Sequence, residues 1–387
     1  MRAEQMSSVG ATKKLTYIVN YLSADDAQHY VHIPRLMHEL QRLGWEVDIV
    51  SERGGAGRAE ILGQRVKFLS RRSKFVRLVN LTRHLLTMRS RGGRLVFVRI
   101  SKLAAFASAL LGKVFGWKTI FWLSGTVEDF NGRAGLRGRL SFGVVWVLFR
   151  VVDFLATGPE TMVRYYQGLY GLPARKILLL YNDVDTVTPR RPTAPKMDEI
   201  VHVLLVHRLS PVRDTARYFP NLLEALGEFA RETKRIVQLD VCGDGPERAR
   251  LEQIGAEAAD VQVHFHGGVP QRQLGAFYGK ATLFVMPSYR EGFPRVMIEA
   301  MAEGLPMVAT SAGGSVDLCG PLQQRYVIDR EDAAAFGRAV KRLLAAPRDR
   351  AALATENLRW VTRFSSPEVA RMYDRTLSGI ITARPAP

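Results

Sequence analysis

Residues 287–302, Pro-Ser-Tyr-Arg-Glu-Gly-Phe-Pro-Arg-Val-Met-Ile-Glu-Ala-Met-Ala, follow the short apolar run Thr282-Leu-Phe-Val-Met286, and this junction decides the fold. The apolar run is β-rich and brief, so it predicts a buried strand that ends at Pro287-Ser288. A loop then carries Glu291 and Gly292. From Arg295 onward Val296, Ile298, Met301 and Ala302 fall near helical spacing, and Pro294 suits the first helical turn. A buried strand, a glycine-bearing loop and a helix in that order is the repeating unit of an α/β domain.

Two carboxylates flank the turn, Glu291 in the loop and Glu299 about one turn into the helix. The open end of that helix has free backbone N–H groups and the positive end of its dipole, both suited to phosphate. Gly292 lets a ligand approach the main chain closely. A carboxylate accepts two hydrogen bonds from a vicinal diol, so Glu299 is placed to hold a ribose and Glu291 the next sugar. The arrangement reads as a clamp for a sugar nucleotide.

The surrounding sequence resembles glycosyltransferase family 4, of the glycosyltransferase group 1 type. These are retaining, nucleotide-sugar-dependent enzymes whose signature is E-x7-E in the setting PS-x-x-EGF-x-x-x-x-x-EA-x-A-x-G-x-P-V. Here the stretch reads PSYREGFPRVMIEAMAEGLPMVAT. Further landmarks come in the family's order: His207-Arg-Leu-Ser-Pro-Val-Arg213 resembles GRLVPEKG, Val241-Cys-Gly-Asp-Gly-Pro-Glu247 resembles VGDGPE, and Phe265-His-Gly-Gly-Val-Pro270 resembles FLGYVP. Tyr181-Asn-Asp-Val-Asp185 resembles PNGVD, and HIPRLMHELQRLGWEV from His32 to Val47 resembles the family's first helix and second strand. The likeness is strong from about 200 to 315 and weak before 150.

The resemblance implies the GT-B fold, two Rossmann-like domains facing each other across a cleft. It assigns Arg208 and Arg213 to the donor pyrophosphate, with Arg213 replacing the usual Lys, and Glu291 to the transferred sugar. It puts the 292–296 turn, Gly292, Phe293, Pro294, Arg295 and Val296, against the phosphates, Val269 beside the base, and Gly243 and Gly245 close to the nucleotide. The implied donor is a nucleotide-diphosphate sugar, of UDP or GDP type, used without a metal or other cofactor. Departures concentrate early in the chain. Where relatives have a Gly-Gly loop, this chain has Ser23 to His29, so Asp25, Asp26, Gln28 and His29 are candidates to face the acceptor or the donor sugar in the cleft. Ser124, before Gly125, occupies a position where many relatives have His, and His32 matches a His of the first helix.

Composition bounds these expectations. The 387 residues, 47% hydrophobic, suffice for two domain cores. The two cysteines, Cys242 and Cys319, argue against a disulfide scaffold and fit a reducing cytosol. His264-x-His266 lacks a nearby third ligand for zinc. Strand and helix patterns predict a first domain over 13–184, a Pro-rich linker over 185–197, a second domain over 198–364, and a helix over 365–383 crossing back to the first. Leu15 to Asn20 is too short for a secretory core. The run 101–116 reads as a crossover helix between strands near 95–100 and 118–123, and 140–155 as a buried domain helix, too short and too charged to span a bilayer.

The formal charge of +18 is uneven. Residues 1–190 have 29 Lys and Arg against 14 Asp and Glu, whereas the remainder has 26 against 23. Between Arg71 and Arg91, Phe75, Leu78, Val79, Leu85 and Leu86 follow helical spacing amid Arg71, Arg72, Lys74, Arg77, Arg83 and Arg89. That pattern suits a helix lying on an anionic membrane. Interleaved aromatics and nucleic-acid modules are missing, so nucleic acid is not an expected partner. The expectation is a cytoplasmic protein, peripheral on the inner face of the inner membrane, that transfers a sugar to a glycan or lipid-linked acceptor. Two rivals stand beside it: a GT-B phosphorylase or sugar-phosphate synthase, and a non-catalytic membrane-associated binding protein.

Overall fold

Parallel strands buried on both faces lack alternating polarity and appear as unbroken apolar runs. Leu95-Val-Phe-Val98 and Val203-Leu-Leu-Val206 are of this kind. In the computed structural model, which describes residues 12–23, 32–69, 73–125, 135–185 and 199–383, these runs lie at the centres of two sheets.

The first sheet contains β1 (Lys14–Val19), β2 (Glu46–Ser51), β3 (Arg58–Ile61), β4 (Gln64–Phe68), β5 (Leu95–Arg99), β6 (Lys118–Trp122), β7 (Phe154–Thr157) and β8 (Ile177–Leu179). Its order is β3-β4-β2-β1-β5-β6-β7-β8, parallel throughout except for the β3–β4 hairpin. Tyr17 pairs with Ile49 on one side and Phe97 on the other, and the Tyr17 and Phe97 rings stack with centroids 4.7 Å apart. The second sheet contains β9 (Ile200–Val206), β10 (Ile236–Cys242), β11 (Val261–Gly267), β12 (Leu283–Met286), β13 (Met307–Thr310) and β14 (Val327–Ile328). All its pairings are parallel, in the order β11-β10-β9-β12-β13-β14.

In each sheet the strand order reverses at one strand, β1 in the first and β9 in the second. Beyond the carboxyl ends of the strands at such a reversal, adjacent loops diverge to opposite faces and open a crevice. The second crevice lies between the loops after β9 and β12, residues 207–214 and 287–294. Asp25, Asp26, Gln28 and His29, in the stretch that follows β1, lie outside the described residues, as do Arg71 and Arg72.

The chain returns to the first domain at its end. The helix Ser366–Thr382 packs along the helix His32–Arg42, burying Val369, Tyr373 and Leu377 in the core beneath β1. Polar bonds fix it in register: Lys13 Nζ and Trp45 Nε1 donate to Asp374 Oδ1 at 2.7 and 2.8 Å, and Ser366 Oγ donates to the fully buried Asp183 at 2.7 Å.

On the opposite face of the first sheet lie the helices Lys74–Ser90, Lys102–Phe115 and Gly135–Val151, successive crossovers between β4, β5, β6 and β7. Here the structure corrects the sequence reading. In Lys74–Ser90 the buried positions are Leu81 and Leu85, whereas Phe75 and Leu86 of the predicted stripe face out. The 140–155 run is not uniformly buried: the helix ends at Val151 and exposes Leu140, Val144 and Val147. Helical period identifies rows of apolar residues, but which row meets the sheet depends on the angle set by the strands.

The Asp374 bonds predict that Asp374→Ala loosens the terminal helix. Its two strong donors contribute roughly 2 kcal/mol between them after discounting for the part-exposed lysine. Hydrogen exchange should accelerate over 366–382 while β9–β12 stay protected; uniform exchange across both regions would refute the assignment.

Candidate donor-binding site

The loop after β9 is shaped by its neighbours. His207 is buried against Thr215, its Nε2 lying 2.6 Å from Thr215 Oγ1. Burial first, and the Arg213 charge second, push its pKa well below the usual value, so the ring is neutral. Gly243 and Gly245 make this path possible. A Cβ on Gly243 would sit 1.9 Å from the His207 carbonyl oxygen, and one on Gly245 would sit 2.0 Å from that of Leu209. Leu209 N–H also donates to the Asp244 carbonyl at 3.0 Å. The close approach at these glycines is therefore to the loop that carries Arg208, and it leaves the Arg208 side chain exposed.

Arg213 turns inward. Its Nη1 donates to Glu291 Oε1, and its carbonyl accepts from Tyr289 N–H at 2.7 Å, so the loops after β9 and β12 are tied by side chain and by backbone. The Glu291 side chain is only 5% exposed. Burial raises its pKa, offset in part by Arg213 and Ser288, so the carboxylate depends on that guanidinium to stay ionised. Behind it, residues 312–314 clasp the turn: Gly313 has φ +54° and would drive a Cβ into the Glu291 carbonyl, and Gly314 N–H donates to the Gly292 carbonyl at 3.2 Å.

The helix Arg295–Ala302 opens at Pro294 without a side-chain cap, which leaves first-turn amides directed at the crevice. Phe293 is anchored by Tyr181 and Phe364, with centroids 6.0 and 6.2 Å away. Glu299 accepts from Gln271 Nε2 at 3.0 Å and from Tyr278 Oη at 3.2 Å, and pairs with Arg295 at 3.4 Å. Burial and then Glu299 hold the Tyr278 hydroxyl well above its ordinary pKa, so it remains a donor. Val269 is half-buried just before the helix Gln271–Lys280 that brings Gln271 and Tyr278 to Glu299.

The first domain meets this turn directly. A Cβ on Gly292 would lie 2.3 Å from Gly125 N and 2.7 Å from the Ser124 carbonyl carbon, so the predicted Ser124-Gly125 lies against the Glu291-Gly292 loop. Tyr166 Oη holds the Gly125 carbonyl at 2.6 Å. His32, 3% exposed, accepts from Arg295 Nη1 at 2.8 Å, so it too joins the second domain's helix. A further seam joins Gly314 to Pro159, and Asp317 accepts from Thr161 N–H at 2.7 Å.

Sequence reasoning missed Gln271, Tyr278 and Asp317. Gln271 follows the Gly-Gly-Val-Pro landmark immediately and was within reach of that reading; the other two depend on tertiary contact alone. His266, weighed for zinc, instead pairs with Asp240 at 2.7 Å.

The sucrose-phosphate synthase of Thermosynechococcus elongatus superposes with TM-score 0.74 at 19% identity, covering 95% of this chain and all of that one. Anabaena HepE in complex with UDP superposes with TM-score 0.72 at 15% identity, over 95% of this chain and all of that one. The fold is GT-B. Residues 190–360 match the family model of glycosyl transferases group 1.

Among curated relatives, a D-inositol 3-phosphate glycosyltransferase of Acidothermus cellulolyticus is 30% identical over 251 residues, 59% of this chain and 52% of that protein. A GDP-mannose-dependent alpha-(1-6)-phosphatidylinositol monomannoside mannosyltransferase of Mycolicibacterium smegmatis is 32% identical over 157 residues, 37% of this chain and 41% of that protein. The chain thus spans about half or less of the curated relatives it matches.

The buried pair makes a sharp stability prediction. Arg213→Ala leaves Glu291 without its cation and should destabilise the protein by about 2 kcal/mol, at the low end for a buried pair because Arg213 is partly exposed. The Glu291 pKa, already raised, climbs further, so the folded state holds the proton more tightly than the unfolded one. Stability of the variant should therefore recover as pH falls from neutrality toward the usual carboxylate range. Arg213→Ala combined with Glu291→Gln should remove that slope, and an unchanged slope in thermal melts would refute the pairing.

Proposed function

We propose that this protein is a glycosyltransferase of the retaining, family 4 kind, moving a sugar from a nucleoside-diphosphate donor of UDP or GDP type to an acceptor hydroxyl. The observation that carries the reading is the convergence of the exposed Arg208, the Arg213–Glu291 pair and the uncapped end of Arg295–Ala302 at the strand-order reversal of the second sheet. Cleavage at the anomeric carbon leaves the bonding electron pair on the β-phosphate oxygen, so positive groups at that point stabilise the transition state more than the ground state.

Arg208 and Arg213 supply this charge, and both can chelate two phosphate oxygens. With Arg213 shared with Glu291, the charge of Arg208 and the remaining guanidinium donors of Arg213 support a reaction without a divalent metal. The amides of the 292–296 turn add the helix-end contribution. Glu299 takes the ribose diol in exchange for its contacts with Gln271, Tyr278 and Arg295, and Glu291 takes hydroxyls of the sugar being transferred. The acceptor oxygen attacks from the face the phosphate leaves, and its proton passes to the departing phosphate oxygen. Ser124, Gly125 and His32 line the opposite wall.

The acceptor is a lipid-linked or polysaccharide precursor, such as a lipopolysaccharide intermediate, held by the basic first domain at the cytoplasmic membrane face. The charge excess of residues 1–190 supports this, as does the relative whose name specifies a phosphatidylinositol mannoside.

Glu291→Ala or Arg208→Ala should each lower turnover at least about 100-fold, the scale of losing one group aimed at developing charge. UDP, GDP and their sugars should raise the melting temperature of the parent in proportion to occupancy. Near-normal turnover in both variants would overturn the site. Transfer to inorganic phosphate or to a sugar phosphate in place of a hydroxyl acceptor would favour a phosphorylase or synthase, the reading to which the sucrose-phosphate synthase likeness in fold is relevant.

A further inference from the structure

The face of the first domain opposite the terminal helix carries an unusual concentration of exposed apolar side chains. Eleven of the fifteen large exposed hydrophobic residues among those described lie on its three crossover helices. Nine of these belong to just two, Lys102–Phe115 and Gly135–Val151.

On the first of the pair, Leu103, Phe106, Leu110 and Val114 recur at intervals of three and four and so form one stripe along the helix. Its buried side, Ala104, Ala105, Ser108 and Ala109, consists of small residues that let the helix sit close to β5 and β6. The large side chains thus point to solvent and the small ones to the core, the reverse of an ordinary surface helix. Val114 is 75% exposed. On the neighbouring helix Leu140, Val144 and Val147 form a second row, with Leu140 61% exposed. Both helices run back along the sheet from its carboxyl edge, and their apolar rows are about 16 and about 10 Å long.

Charge selects the occupant of this face. The three crossover helices contain nine Lys and Arg and no Asp or Glu. Arg150 lies over the Trp146 ring, 3.3 Å from its centroid, presenting an aromatic body beside a cation at the border of the apolar rows. An apolar stripe flanked only by cations and an indole matches the interface of an anionic bilayer, where side chains enter the acyl boundary and basic groups meet phosphate. A second copy of the same face would bring cations against cations. No described helix is long and apolar enough to cross a membrane.

We propose that Lys102–Phe115 and Gly135–Val151 together form the surface by which this protein lies on anionic lipid, with Lys74–Ser90 at its basic margin. The inference rests on the reading of a membrane-held acceptor and moves its docking element away from the 71–91 segment that the sequence suggested. Leu103 begins the stripe just beyond the carboxyl end of β5, the edge of the sheet that faces the second domain. A lipid surface on this face would therefore meet the mouth of the cleft.

Flotation of the full chain with vesicles of about one-third phosphatidylglycerol in phosphatidylcholine tests the surface directly. The parent should float and lose binding as salt rises. Leu110→Glu with Val147→Glu should reduce the bound fraction at least about tenfold, whereas Lys74→Gln with Arg77→Gln should reduce it less. Both positions are solvent-exposed, and unchanged melting curves would establish that the variants fold.

Full flotation of the Leu110→Glu, Val147→Glu variant would overturn the proposal. So would a concentration-dependent dimer in the parent that these substitutions dissociate, since that outcome assigns the face to a second copy. UDP and GDP thermal shifts, measured in parallel, separate this result from the donor-site reading. Lost flotation with retained shifts isolates the docking face, and retained flotation without shifts leaves it standing while the donor reading fails.

Discussion

A carboxylate buried to the extent of Glu291 is tolerable only beside a cation, and the second domain is organised to meet that demand. The Arg213 guanidinium reaches it from the loop after β9, the Tyr289 amide bonds the Arg213 carbonyl, and residues 312–314 close over the turn from behind. Three loops from three strand ends are thereby held to one geometry. Gly243 and Gly245 serve the same end at one remove, because any side chain there would push aside the loop that carries both arginines. Burial keeps the pair out of competing water, and the pair in turn makes burial possible.

At two points the domains meet where a glycine lets the chains come close, beside the packing of Tyr181 on Phe293. Gly292 lies against Ser124-Gly125, and Gly314 against Pro159. Contacts of this kind are flat and place the loops of one domain within reach of the main chain of the other. Directional bonds at the edges complete them: His32 to Arg295 and Thr161 to Asp317. The terminal helix adds a second connection, anchored by Asp374 on the first domain and continuous with the aromatic cluster of Phe364, Tyr181 and Phe293 beside the turn. Movement of one domain against the other would therefore be sensed at Phe293.

The legible parts of the sequence were those whose cause is local. The strand before Pro287, the helix from Arg295 and the spacing of Glu291 and Glu299 all follow from neighbouring residues, and the order of landmarks pointed to the fold. Gly243 and Gly245 were legible as places of close approach, but what approaches them is the chain's own loop, a fact that resides in tertiary structure. The partners of Glu299 were hidden because Tyr278 and Gln271 belong to a helix twenty or more residues away. The stripe on Lys74–Ser90 was misjudged for another reason. Basic residues surround that helix on every side, so apolar spacing alone did not reveal that Leu81 rather than Phe75 meets the sheet.

The three contacts to Glu299 have a thermodynamic consequence. The carboxylate already has an amide, a phenol and a guanidinium as donors, so any further donor must displace one of them. A bare nucleoside offering only a diol replaces hydrogen bonds with hydrogen bonds and gains little. On the proposed donor-site reading, a diphosphate reaching Arg208 and Arg213 would add the attraction that tips the exchange. On that reading, discrimination between a fragment and a whole substrate would lie in the contacts that Glu299 gives up.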